Sequence, residues 1–245
     1  PDENETDPTA IDFSFTVDVN FDMEFDFENV ITRTATAKGP FATGHKGRVI
    51  IEVYPDKYPG TELIDPEIYN SAPYIRTEMD IEEICYGQQS IDLQLKLSPQ
   101  PYIFLVWADY QEKDNPGNLH YKADKLYNIG FTDTYVANTD TKDAFCASKR
   151  IDLSPYKGQW NVHIKEHFTL HRPLARYEFI TTDIDTYFGQ RAKNSKTTPD
   201  PSDLSRYSAK VKYKGFYPSE YDVIIDRPSD AKTGITYQAE FSKIT

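Results

Sequence analysis

Three histidines, His163, His167 and His171, recur at every fourth residue. On an α-helix they would share one face and offer adjacent pairs to zinc. The surrounding stretch NVHIKEHFTLH alternates apolar and polar residues, which predicts a strand instead. Strand residues four apart stand about 13 Å from each other at about 3.3 Å per residue, and zinc–nitrogen bonds are about 2.0 Å long. One ion cannot bridge them, so the three histidines read as a solvated strand face. Acidic pairs at Glu82/Glu83, Asp140/Asp143 and Asp183/Asp185 have the residue types of a glycosidase carboxylate pair. In a chain with 39 Asp and Glu such pairs arise by chance. The run Lys113-Asp114-Asn115-Pro116-Gly117-Asn118 lacks the acidic spacing and terminal Glu of a calcium loop and reads as turn chemistry. No GxSxG, GxGxxG, P-loop or HExxH motif occurs. These residues predict a non-enzymatic protein with no catalytic, cofactor-binding or metal-ligating set.

Two further groups carry chemistry of a different kind. Cys85 and Cys146 are too few for a disulfide framework; they read as one bridge in an oxidising compartment or as two buried thiols. Trp107-Ala108-Asp109-Tyr110 ends an apolar run. Trp107 and Tyr110 are candidates for aromatic contact with a sugar or partner, and the competing reading is a core Trp with a polar handle, followed by an Asp that starts a turn.

The elements that would position these groups are strands. Ile11, Phe13, Phe15, Val17, Val19, Phe21, Met23, Phe25 and Phe27 alternate with polar residues over seventeen positions. That is a long strand with one buried and one acidic face. A strand of this length could complete another molecule's sheet, which makes Phe13, Phe15, Val17, Val19 and Phe21 a candidate assembly strand. Further strands are expected at Arg48–Tyr54, Ser90–Leu97, Pro101–Trp107, Trp160–Leu170, Ala175–Thr181, Tyr207–Tyr213, Tyr221–Ile225 and Gly234–Phe241. Pro101–Trp107 is apolar on both faces and belongs at the centre of a sheet. The short Ser98–Pro101 connection predicts that it pairs with Ser90–Leu97 as a hairpin. Short helices are expected near Asp80–Ile84, Lys122–Tyr127 and Pro201–Tyr207. No longer stretch keeps a 3.6-residue period, so the chain reads as all-β, a sandwich or barrel.

Composition agrees. Aromatic residues are abundant, 18 Tyr and 14 Phe against 2 Met, which favours pleated surfaces. A formal charge of −12 argues against nucleic acid and against an anionic membrane surface. No run approaches the roughly 18 apolar residues of a membrane span. Residues 1–10 are polar and read as a tether, suited to a lipid-anchored protein whose anchoring cysteine lies upstream. Residues 11–171 and 172–245 read as two domains, divided where Pro173 interrupts the strand series.

The order RVIIEVY, SIDLQLKL, YIFLVWADY, HYKADKLYNI, DAFCASKRI and FTLHRPLARYEFITTDI resembles the fimbrillin-like surface proteins of Bacteroidetes over residues 45–185. The WADY ending and the RPLARYEF strand carry most of the likeness. The resemblance implies two tandem transthyretin-like, Greek-key β-sandwich domains, the second small or incomplete. It implies a lipid-anchored location at the outer membrane or cell surface, and a role as a fimbrial subunit or anchor. Partners would be other fimbrial or surface subunits and host glycans or proteins, with a glycan-binding surface lipoprotein as the alternative. Such subunits are cut after a basic residue to free a groove for a donated strand. Arg33, in NVITRTATAK, is the matching position and follows a strand that reads as structural, which favours an anchor or a non-polymerising surface protein over a polymerising stalk.

Overall fold

The computed structural model describes residues 10–21, 44–81, 88–117, 119–131, 140–174, 183, 186 and 208–240. Within them the chain is all-β. The strands are β1 (Ile11–Phe21), β2 (His45–Pro55), β3 (Ile75–Ile81), β4 (Gln88–Leu97), β5 (Pro101–Glu112), β6 (Tyr121–Lys122) and β7 (Ile129–Phe131). They continue with β8 (Phe145–Asp152), β9 (Val162–Leu170), β10 (Ser208–Lys212), β11 (Tyr217–Asp222), β12 (Arg227–Lys232) and β13 (Thr236–Glu240).

The strands form a sandwich whose middle layer is the sheet β3-β2-β5-β8. Its two inner strands are buried along nearly their whole length. The sequence dictates this, because RVIIEVY and YIFLVWADY place apolar residues on both faces and need cover on both. On one face Val49, Ile51, Val53, Phe104 and Val106 pack against the sheet β4-β1-β9 through Phe13, Phe15, Leu93, Leu95, Ile164 and Phe168. On the other, Ile50, Tyr54, Ile103, Leu105 and Trp107 pack against Tyr121, Leu126, Ile129, Tyr221 and Val223. Most of the latter belong to the sheet β12-β11-β7-β6 or the loops beside it. A separate ribbon pairs β10 with β13. β7 and β11 pair through Glu220↔Gly130 and Tyr221↔Ile129, across residue 172, where a change of domain is expected.

Three expectations are corrected. Ser90–Leu97 and Pro101–Trp107 do not form a hairpin: β4 pairs with β1, and β5 pairs with β2 and β8. The Ser98–Gln100 corner, closed by Gln100 N–H donating to Ser98 O (2.9 Å), carries the chain between layers. The reason is patterning: β4 has an exposed face at Asp92, Gln94 and Lys96 and suits an outer sheet, while β5 has none. Lys122 ends β6 and residues 123–127 are bend and turn rather than helix, with Leu126 N–H donating to the buried Glu52 (2.9 Å); Asp80 and Ile81 belong to β3, and residues 201–207 lie outside the described residues. The strand expected at Tyr221–Ile225 lies earlier, at β11, because Asp222 Oδ1 accepts from Ile224 N–H (2.8 Å) and turns the chain.

Candidate functional site

β1 lies between two strands that meet only through it among the described residues. It runs antiparallel to β4 from Ile11↔Leu97 to Asn20↔Gln88 and parallel to β9 from Phe13↔Val162 to Phe21↔Leu170. Phe13 and Phe15 are fully buried, with ring centroids 5.8 Å apart, and Phe15 stacks at 5.5 Å on Phe104 of the middle layer. Burying each contributes about 1.5–3 kcal/mol. Val17, Val19 and Phe21 continue the ladder against Ile91, Gln89 and the β9 residues Glu166, Phe168 and Leu170. On the outer face Ser14 Oγ donates to Gln94 Oε1 at 2.8 Å. Without β1, two facing rows of unpaired backbone groups and an apolar floor would be exposed, which is a slot shaped for one strand. Arg33, the expected processing position, lies outside the described residues.

The other expected residues separate clearly. His163 and His167 are exposed on β9, in agreement with a solvated strand face. Trp107 and Tyr110 are 0% and 2% exposed, so they are not contact residues. Trp107 Nε1 instead donates to Asp109 (3.0 Å) within the core. Asp143 is held by both arms of Arg172 at 2.7 Å. Glu82, Glu83, Cys85, Asn118 and Asp185 lie outside the described residues, and Asp183 is exposed.

Sequence reasoning missed a cluster at the corner where β8 meets the end of β9. Cys146 and His171 face each other across a two-bond backbone bridge, Cys146 N–H to His171 O (2.9 Å) and His171 N–H to Cys146 O (3.1 Å). Asp226 reaches the same point from the β11–β12 turn, in the left-handed conformation (φ 52°) that Asp tolerates better than most residues. His171 Nε2 stands 2.8 Å from Asp226 Oδ1 and 3.8 Å from Cys146 Sγ, and Sγ stands 3.9 Å from Oδ1. Tyr221 O–H also donates to Asp226 Oδ1. Cys146 is a free thiol and fully buried, and burial pushes it up to about 12. These three are the group among the described residues with the donor types and spacing to hold a metal. They are separated by 25 and 55 residues, a spacing that no motif encodes.

A family model matches residues 6–245. The chain belongs to a family of unknown function (DUF6562). No curated protein matches it, and no solved structure does.

In this family member two buried carboxylates, also missed, lock the middle layer. Asp109 accepts from Arg48 Nε (2.8 Å) and Nη2 (2.6 Å), with side chains 1% and 5% exposed. Glu52 is fully buried and accepts from Arg76, Tyr54 O–H (2.9 Å) and Leu126 N–H. Burial, reinforced by Glu52, pushes the Tyr54 phenol well above its ordinary value. The signal for both was a charged residue inside an apolar strand, at the centre of RVIIEVY and in LVWAD. Away from the core, Phe216 and Tyr213 are exposed (75% and 42%) beside Tyr217, whose ring packs on Tyr213 at 5.9 Å and Tyr237 at 5.8 Å. No helix among the described residues is long and apolar enough to cross a membrane.

Proposed function

We propose that this protein is a structural or adhesive component of a bacterial cell surface, a fimbrial subunit or anchor, and that it acts through strand-to-strand contacts. The observation that supports this reading is the seat of β1, hydrogen-bonded on both sides by β4 and β9, which among the described residues pair only through it. A strand of the same alternation from another subunit would satisfy the same backbone groups and fill the same floor. Residues 22–44 separate β1 from β2, enough chain to let β1 leave after a cut at Arg33. The outer edge at β3 is a poorer route, because Arg76, Glu78 and Asp80 charge it.

Limited trypsin treatment followed by size-exclusion chromatography with light scattering tests the reading. Cleavage at Arg33 is expected to convert monomers into a ladder of oligomers. Monomers whose first strand resists cleavage would overturn strand exchange and leave the anchor and glycan-binding readings.

A second reading, a glycan-binding surface lipoprotein, is favoured by the exposed Tyr213 and Phe216 beside the half-buried Tyr217. In that case the protein stays monomeric and Phe216→Ala lowers retention on immobilised glycans.

A further inference from the structure

The corner cluster of Cys146, His171 and Asp226 carries an inference independent of strand exchange. We propose that these three side chains form a mononuclear site for a zinc-class divalent transition ion. Its fourth coordination position would open toward the groove beside Arg150, Thr169 and Ile225.

The geometry favours an ion over a nucleophilic relay. Such a relay needs Cys on one ring nitrogen of the histidine and Asp on the other. Here Sγ and Oδ1 both face the same atom, His171 Nε2. The three donors therefore converge on a shared point instead of standing in series. The sulfur lies 3.8 and 3.9 Å from His171 Nε2 and Asp226 Oδ1, at the long end of thiol hydrogen bonds, and shares the Tyr221 hydroxyl with Asp226.

Donors around a tetrahedral zinc, with bonds of about 2.3 Å to sulfur and about 2.0–2.1 Å to nitrogen or oxygen, stand roughly 3.3–3.6 Å apart. The two sulfur distances are within a few tenths of an ångström of that. The His171–Asp226 pair need open by only roughly half an ångström. One thiolate, one imidazole and one carboxylate suit zinc, where an all-oxygen set would suit calcium or magnesium.

Access and support are both present. The Cys146 side is buried, whereas the His171 and Asp226 side chains are 41% and 52% exposed, so an ion enters from the groove. The backbone bridge fixes Cys146 opposite His171, and the buried turn residues Val223 and Ile224 hold the loop that bears Asp226. Tyr221 O–H, bonded to the Asp226 carboxylate, is the kind of outer partner that orients a ligand. Coordination would release the Cys146 thiol proton to solvent as the sulfur–metal bond forms. Three protein ligands with an open position resemble catalytic more than structural zinc sites, and a water would complete the shell.

Titration of the metal-stripped full chain with cobalt(II), followed by absorption, tests the site. One equivalent is expected to bind, with the near-ultraviolet thiolate-to-cobalt charge-transfer band and the visible bands of four-coordinate cobalt, all discharged by zinc. His171→Ala should weaken binding by more than about 100-fold, beyond the 10–100-fold cost of losing an outer partner, and Tyr221→Phe by about 10-fold. His163→Ala, on the exposed face of the same strand, should change nothing. Circular dichroism of His171→Ala without metal checks that the half-exposed position tolerates the change. Absence of the charge-transfer band at saturating cobalt, or equal binding by folded His171→Ala, would overturn the proposal.

Discussion

Arg48 and Asp109 stand opposite each other on β2 and β5 and meet through two short hydrogen bonds in a dry interior. Burial pushes the Asp109 carboxyl upward, and Arg48 and Trp107 Nε1 pull against it. Removing one partner strands the other charge, so Asp109→Ala is expected to lose about 3–5 kcal/mol in urea unfolding. Replacing both with apolar residues of similar volume should restore most of that, because the pair's own desolvation cost also disappears. At this scale the sequence was informative where residue type and pattern agree. Trp107 in an apolar strand reads as core, and His163 and His167 read as solvated. It was silent where a cluster joins residues far apart in the chain, as at Cys146, His171 and Asp226.

Individual elements were legible in proportion to the contrast between their two faces. β1, β2, β4, β5 and β9 alternate strongly or are apolar throughout, and each begins within three residues of its expected start. β5 runs on past Trp107 to Glu112, with Asp109 paired to Arg48 where a turn was expected, and the expected end of β1 at Phe27 lies outside the described residues. β12 is exposed along its whole length, and β3 is only half-buried on its inner face, so neither leaves a clear period. Pairing was harder to read than strand identity: the Ser98–Gln100 corner and a hairpin turn look alike until the burial of both β5 faces is known. Ties between elements also set the response to pH. His120, just before β6, shares a hydrogen bond with Thr141 Oγ1 (2.8 Å) in the short helical turn Asp140–Lys142. Burial, with Lys142 nearby, lowers its pKa below the ordinary 6.5. A depressed histidine pKa means that the unfolded chain takes up the proton first. Stability from this site is therefore complete above about pH 6.5 and falls as pH drops through the lower folded value. Thermal melts on either side of about pH 6.5 should show this loss, and His120→Gln should flatten it. The carboxyls held low by their partners, Asp65 and Asp152, act only in a more acidic window.

At the scale of the molecule, the described residues make three layers, and the strand proposed to exchange, β1, lies in an outer one. The middle sheet is sealed on both faces, while β1 takes part in both pairings of the sheet β4-β1-β9 among the described residues and is joined to neither neighbour by a short turn. The most direct test fixes that strand in place. Ser14 and Gln94 are register partners on the exposed face of β1 and β4 with touching side chains, so cysteines at both should form a bridge. Ser14→Cys/Gln94→Cys, with Cys85→Ser to remove a competing thiol, is treated with trypsin and sized by light scattering with and without reductant. Monomers are expected while the bridge is closed, and oligomers once it is reduced. Oligomers that form equally in both states, or in neither, would contradict it.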